Sequence, residues 1–132
     1  MTERLVSRRS GADFEATVAR LEAAIAAGGL TMFAKIDHAA GAAEAGMTLR
    51  PTLVHIFGNP RGGTPLMLLD QRIGIDLPLR TLTWRDDAGG VWLGYVDPRR
   101  IGEDWGLDEA ARPTLAALGG LLATLTREAA GN

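Results

Sequence analysis

Near each end of the chain stands a stripe of apolar residues at helical spacing, and most of what lies between reads as strand. Phe14, Val18, Leu21 and Ile25 recur at intervals of four, three and four, which places them on one face of a helix. Asp13 sits where an N-cap belongs, Glu15 complements the helix dipole in the first turn, and Gly28-Gly29 supplies the stop. Leu115, Leu118, Leu122 and Leu125 repeat the pattern at three, four and three. Pro113 belongs in the first turn of that helix, so its start falls later than Asp108 suggests. Two amphipathic helices in one small chain need a common surface on which to bury their stripes, and a sheet between them supplies it.

Five segments read as strands: residues 4–9, 30–37, 52–57, 79–85 and 91–96. In the second, Met32, Ala34 and Ile36 alternate with Thr31, Phe33 and Lys35. The third is apolar on both sides, with Val54 and Ile56 facing one way and Leu53 and Phe57 the other. The last two form a hairpin around DDAGG. Shorter helical pieces are expected at HAAGAAEAGM, at Asp97-Pro98 as far as Gly106, and after Thr64. Thr64 reads as an N-cap with Pro65 at the first helical position, the helix running to about Arg72 and closing at Gly74. The order is β-α-β4-α: an α+β fold in a single domain over residues 1–132, its antiparallel sheet covered on one face by the two long helices. Because the central strands are apolar on both faces, the uncovered face is expected to meet a partner subunit, a ligand or the chain's own loops, and a homodimer is expected.

Charged residues make up 23% of the chain and the formal net charge is -2, with the two signs well mixed. No basic stripe marks a nucleic-acid surface, so no nucleic-acid partner is expected. The absence of cysteine excludes disulfides and thiol chemistry. No run approaches the roughly 20 apolar residues of a membrane span, and MTERLVSRRS lacks the apolar core of a leader. The expectation is a cytoplasmic protein with no membrane partner. The two histidines, His38 and His55, lack the spacing of a metal site. No metal and no cofactor is expected, and His55, inside an apolar strand, reads as a core or interface residue.

The stretch FGNPRGGTPLM, residues 57–67, is the densest in turn-forming residues. It lacks the lysine-serine/threonine ending of a P-loop. Asn59, Arg61, Gly62, Gly63 and Thr64 are nevertheless candidates for ligand binding, since backbone N–H groups before a helix, with an arginine beside them, suit an anion. The favoured reading is an architectural corner in which Asn59-Pro60 turns the chain, Gly62-Gly63 lets it pass close to the sheet, and Thr64 caps. Asp37 and His38, at the end of the second strand, are candidate catalytic groups, the histidine as a general base, although such a pair more often closes a strand, the aspartate accepting from loop amides and the histidine packing. Asp76 suits a turn before Leu77-Pro78, and Asp97 caps at Pro98. Phe57, Trp84, Trp92 and Tyr95 could line an aromatic pocket, although aromatics on strands are more usually core or interface residues. An antiparallel sheet would hold the end of strand two roughly 20 Å from FGNP, at about 3.3 Å per residue.

The segments IDHAAGAAEAGMTLRPTLVHIFGNPRGGTPLM, GIDLPLRTLTW and VWLGYVDP, in that order, strongly resemble the bacterial and archaeal family called domain of unknown function 302. The resemblance runs from about Thr17 through Gly106. It implies a β-α-β4-α domain like the TATA-binding-protein half-fold, usually paired as a homodimer. It supplies no activity. Three readings stay open: a homodimeric module binding a small molecule or a protein partner; a small hydrolase or isomerase using Asp37 or His38 with the 59–64 loop; and a structural or assembly domain.

Overall fold

The computed structural model describes residues 2–131. The five strands are β1 (Leu5–Arg9), β2 (Thr31–Asp37), β3 (Thr52–Gly58), β4 (Leu79–Arg85) and β5 (Val91–Val96). They form one antiparallel sheet in the order β1-β5-β4-β3-β2. The two long helices are α1 (Phe14–Ala27) and α5 (Arg112–Ala130), and three shorter ones are α2 (His38–Glu44), α3 (Pro60–Leu69) and α4 (Pro98–Asp104). Asp13 caps α1 by accepting from the Ala16 amide, and α5 closes at Gly131, whose φ of 75° suits a residue without a Cβ.

Register divides the sheet into two unlike faces. Val6, Leu93, Tyr95, Leu79, Leu53 and Phe57 point toward α1 and α5, where Leu21, Ile25, Leu118, Leu122 and Leu125 complete the core. On the opposite face, Gly94, Leu82, Val54 and Ile36 stand in one cross-strand row. Trp84 and Trp92 pair in the next row and stack with ring centroids 6.3 Å apart. Leu5 and Trp84 fold over Gly94: a Cβ there would lie 3.0 Å from the Trp84 ring and 3.2 Å from Leu5. The hairpin between β4 and β5 is tied by Asp86, which accepts from the Ala88 and Gly90 amides and from Trp92 Nε1 at 2.8 Å.

Two expectations are corrected. Thr64 does not cap a helix. The helix begins at Pro60, five residues earlier than expected at Pro65, with Asn59 as N-cap accepting from the Arg61 amide at 3.0 Å. Asn59-Pro60 and Thr64-Pro65 carry the same cap-then-proline signal, and the pair that directly follows β3 prevails. Pro65 then lies inside the helix, where it cannot donate to the Arg61 carbonyl, a loss tolerable near an exposed N-terminus. The helix ends at Leu69, and a 3-10 helix, Gln71–Asp76, follows. The four aromatics, in turn, do not form one pocket: Phe57 and Tyr95 face the core, whereas Trp84 and Trp92 stack on the other face. Strand alternation divides them.

With its cap removed, Asn59→Ala is expected to lose about 1 kcal/mol of stability. Thr64→Ala, whose hydroxyl makes no hydrogen bond among the described residues, should stay within roughly 0.5 kcal/mol of the parent. Urea denaturation of the two variants side by side tests this assignment, and equal losses would contradict it.

Candidate functional site

At the end of the sheet where β2 begins, β3 ends and β4 begins, the chain leaves an apolar pocket of about 280 Å³. Leu118 and Leu121 of α5 line one side, and Leu77, Pro78 and Leu79 another. Leu30 and Phe33 close it from the start of β2, while Gly58 through Pro60 and Gly62 through Thr64 bring in the FGNPRGGT loop. The loop is there because β3 delivers it: Thr31 pairs with Gly58, and Phe57 pairs with Leu79. Asn59, Gly62, Gly63 and Thr64 therefore all line one cavity, and Arg61 does not. No charged side chain lines it.

The amides that an anion would use are engaged. Asn59 Oδ1 accepts from the Arg61 amide and the Asn59 carbonyl from the Gly62 amide at 2.8 Å. Gly62 and Gly63 have ordinary negative φ, so a left-handed turn is not their reason for being glycine. A Cβ on Gly62 would lie 3.4 Å from Leu118 Cδ2, and one on Gly63 would lie 3.0 Å from Leu77 Cδ1. Both neighbours line the pocket, and at Gly63 Leu77 would have to give way to a Cβ.

Asp37 and His38 lie elsewhere. Asp37 pairs with Leu53 at the start of β3 and caps α2, accepting from the Ala40 amide at 2.9 Å. His38 is the exposed first residue of α2. Six residues of extended chain separate Leu53 from Asn59, about 20 Å at 3.3 Å per residue. The structure does not bring Asp37 or His38 to the 59–64 loop. Asp97 caps α4 and is gripped by Arg99, whose guanidinium beside it holds the carboxyl below its usual range. Asp76 accepts from Trp105 Nε1 at 2.7 Å, a tertiary tie beyond the turn expected for it.

A polar cluster that residue spacing could not reveal sits under α1. His55 is fully buried on the inner face of β3, and its Nε2 lies 2.8 Å from Glu22 Oε2. Lys35 Nζ reaches the same oxygen at 2.7 Å. His55 Nδ1 and the hydroxyls of Thr81 and Thr83 find no hydrogen-bond partner among the described residues. Full burial leaves His55 no access to a substrate. Its role is to tie α1 to the sheet through Glu22. Among the described residues, no group of three His, Asp or Glu side chains is arranged to hold a metal. No described helix is long and apolar enough to cross a membrane.

Sheet, helices and pocket define a small α+β domain with one long-helix face and a cavity at the sheet's end. Residues 6–125 match the family described as "Domain of unknown function DUF302", and the chain belongs to that family. A crystal structure of an uncharacterized conserved DUF302 protein from Bacillus stearothermophilus superposes with a TM-score of 0.87. The match covers 97% of this chain and 99% of that one at 16% identity, so the two share a fold. The chain is also 40% identical over 126 residues to "Fluoride-specific ion channel FluC 1" of Brucella suis, covering 96% of this chain and 48% of the relative. "Fluoride-specific ion channel FluC 2" of Brucella melitensis is 40% identical over 126 residues, with 46% of its length covered. The chain spans about half the length of the curated relatives it matches.

The Lys35 ammonium, first, and the His55 ring hold the Glu22 carboxyl below its ordinary value. A carboxyl lowered in the folded state stabilises the fold above its unfolded value, and that contribution is lost as pH falls through the folded one. Glu22→Gln should therefore flatten the acid side of the stability profile, read as the urea midpoint between about pH 6 and pH 3. An acid limb as steep as the parent's would remove Glu22 from this role.

Proposed function

We propose that the protein is a homodimeric module that binds a small molecule in the pocket between the FGNPRGGT loop, the start of β2 and α5. The observation that carries the reading is the pair of glycines in the first turns of α3. A glycine in a helix costs up to about 1 kcal/mol against alanine. Neither glycine here is required by backbone conformation, and each keeps a side chain out of the same cavity. Glycines beside a pocket leave its volume open at a cost in helix propensity. The distance between Asp37-His38 and the loop weighs against a hydrolase or isomerase built from those groups.

The Brucella relatives are named as fluoride channels, and this chain matches less than half of each. We propose that the matched portion serves those proteins as the same binding domain, with ion conduction assigned to the portion outside the match.

The homodimer rests on the sheet face opposite α1 and α5. Leu82, Val54 and Ile36 lie in a row there, flanked by the Trp84–Trp92 stack and by Leu5. Leu5 is 50% exposed and Ile36 42% exposed. A second copy applied to this face would bury these side chains at a self-complementary interface. We propose a cytoplasmic location for this module and binding without a cofactor.

Two measurements test these statements. Naphthalene near its solubility limit is expected to raise the thermal midpoint by mass action. An unchanged midpoint with naphthalene, and with charged small molecules alike, would defeat the binding reading. Light scattering at micromolar concentration is expected to give twice the mass of one chain, and Ile36→Asp to shift the population toward monomer. A parent that stays monomeric would remove the dimer and leave the pocket untouched.

A further inference from the structure

Resting on the binding reading above, we infer that the pocket's ligand is neutral and largely apolar, with about a dozen non-hydrogen atoms and one hydrogen-bond acceptor held at the rim by Asn59 and Thr64. Size comes from the volume. An apolar cavity of about 150 Å³ accommodates benzene, so the 280 Å³ here fits roughly twice as many carbons. That is an alkyl chain of ten or so carbons, or two fused rings, on the same scale.

Neutrality follows from the lining. Leu30, Phe33, Met67, Leu77, Leu118 and Leu121 present carbon or thioether surface, and no lysine, arginine or carboxylate lines the cavity to pair with an ionised group. Burying an unpaired charge is far more costly than burying a hydrocarbon. Arg61 stands outside the lining, and the first amides of α3 already donate to Asn59. An anion entering this pocket would find no counter-charge in the lining, and the Arg61 and Gly62 amides already have acceptors.

The single acceptor follows from the two polar side chains that remain. Asn59 Oδ1 is committed to the Arg61 amide, which leaves the Asn59 side-chain nitrogen as a donor. Neither that nitrogen nor Thr64 Oγ1 makes a hydrogen bond among the described residues, and both residues line the pocket. A ketone, ester, ether or hydroxyl oxygen on an otherwise apolar ligand satisfies them. Asn59 and Thr64 are exposed, so a pure hydrocarbon would fill the cavity and leave both to water at its rim, without a directional contact to the ligand.

The test titrates the whole chain with 2-decanone, decanoate below micelle-forming concentrations, naphthalene and inorganic phosphate, following the backbone amide resonances of Gly58, Gly62 and Gly63. The expected result is saturable shifts with 2-decanone, binding of decanoate at least tenfold weaker, and no shift with phosphate. Thr64→Val should weaken 2-decanone several-fold and leave naphthalene unchanged. Gly62→Leu should abolish binding of both by filling the cavity, with Leu121→Trp as a second filling variant carrying the same expectation, each judged only where its thermal midpoint matches the parent's. Decanoate or phosphate binding at these amides as tightly as 2-decanone would overturn the neutral class while leaving a small-molecule site in place. Equal loss of 2-decanone and naphthalene in Thr64→Val would overturn the polar grip. Failure of all four probes to move these resonances would overturn the binding reading together with this inference.

Discussion

The structure depends on one constraint: both long helices bury their stripes on the same face of a single sheet. Leu21 and Ile25 from α1 and Leu118, Leu122 and Leu125 from α5 meet Phe57, Leu93 and Tyr95 there. Burial of an aliphatic side chain is worth about 1.5–3 kcal/mol relative to exposure, so this layer outweighs any single polar contact in the chain. The remaining layout follows. The opposite face keeps its apolar rows without a long helix. The shorter helices are left to pack at the margins, α4 against α5 where Gly102 lies under Leu115 and α3 where Gly62 lies near Leu118.

Leu118 shows how the core and the pocket are parts of one surface. It is 5% exposed and counts among the core residues, yet it also lines the cavity. The same holds for Leu79, which pairs with Phe57 on the sheet and borders the pocket at the start of β4. The cavity is thus the place where the helical layer runs past the end of the sheet. The FGNPRGGT loop closes it with glycine backbone instead of side chains. The loop is a corner whose helix borders the cavity. It turns the chain at Asn59-Pro60 and starts a helix at once, and two glycines keep that helix from filling the space beside it.

The architecture was legible in the sequence because it rests on periodicity. The helical stripes at 14–25 and 115–125 and the strand alternation of Thr52–Gly58 each follow from local spacing, and the β-α-β4-α order with helices on one face follows from their succession. The start of α3 was not legible, since two cap-proline pairs five residues apart send the same local signal and only the path of β3 selects between them. The aromatic set misled for a related reason. Residue type suggested a cluster, but parity along β3, β4 and β5 sends Phe57 and Tyr95 inward and the two tryptophans outward. Glu22 and His55 are 33 residues apart in sequence, and no local pattern links a charged residue on one helix to a histidine three elements later.

The cavity lay furthest from what a sequence can show. Its lining comes from Leu30 and Phe33 at the start of β2, the end of β3, the start of β4, two helices and the 3-10 segment, so it exists only once the sheet register is set. What the sequence did contain was an unexplained cost: two adjacent glycines in a segment otherwise suited to a helix. Glycine in a helix is usually accounted for by a left-handed turn or by close backbone packing. Here the conformation is ordinary, and the atoms nearest each missing Cβ are the ends of leucine side chains bordering open space. At Gly63 a Cβ would lie 3.0 Å from Leu77 Cδ1, so close packing accounts for that glycine, whereas Gly62 has room for a Cβ beside Leu118. Both glycines border the pocket, about 20 Å along β3 from Asp37 and His38.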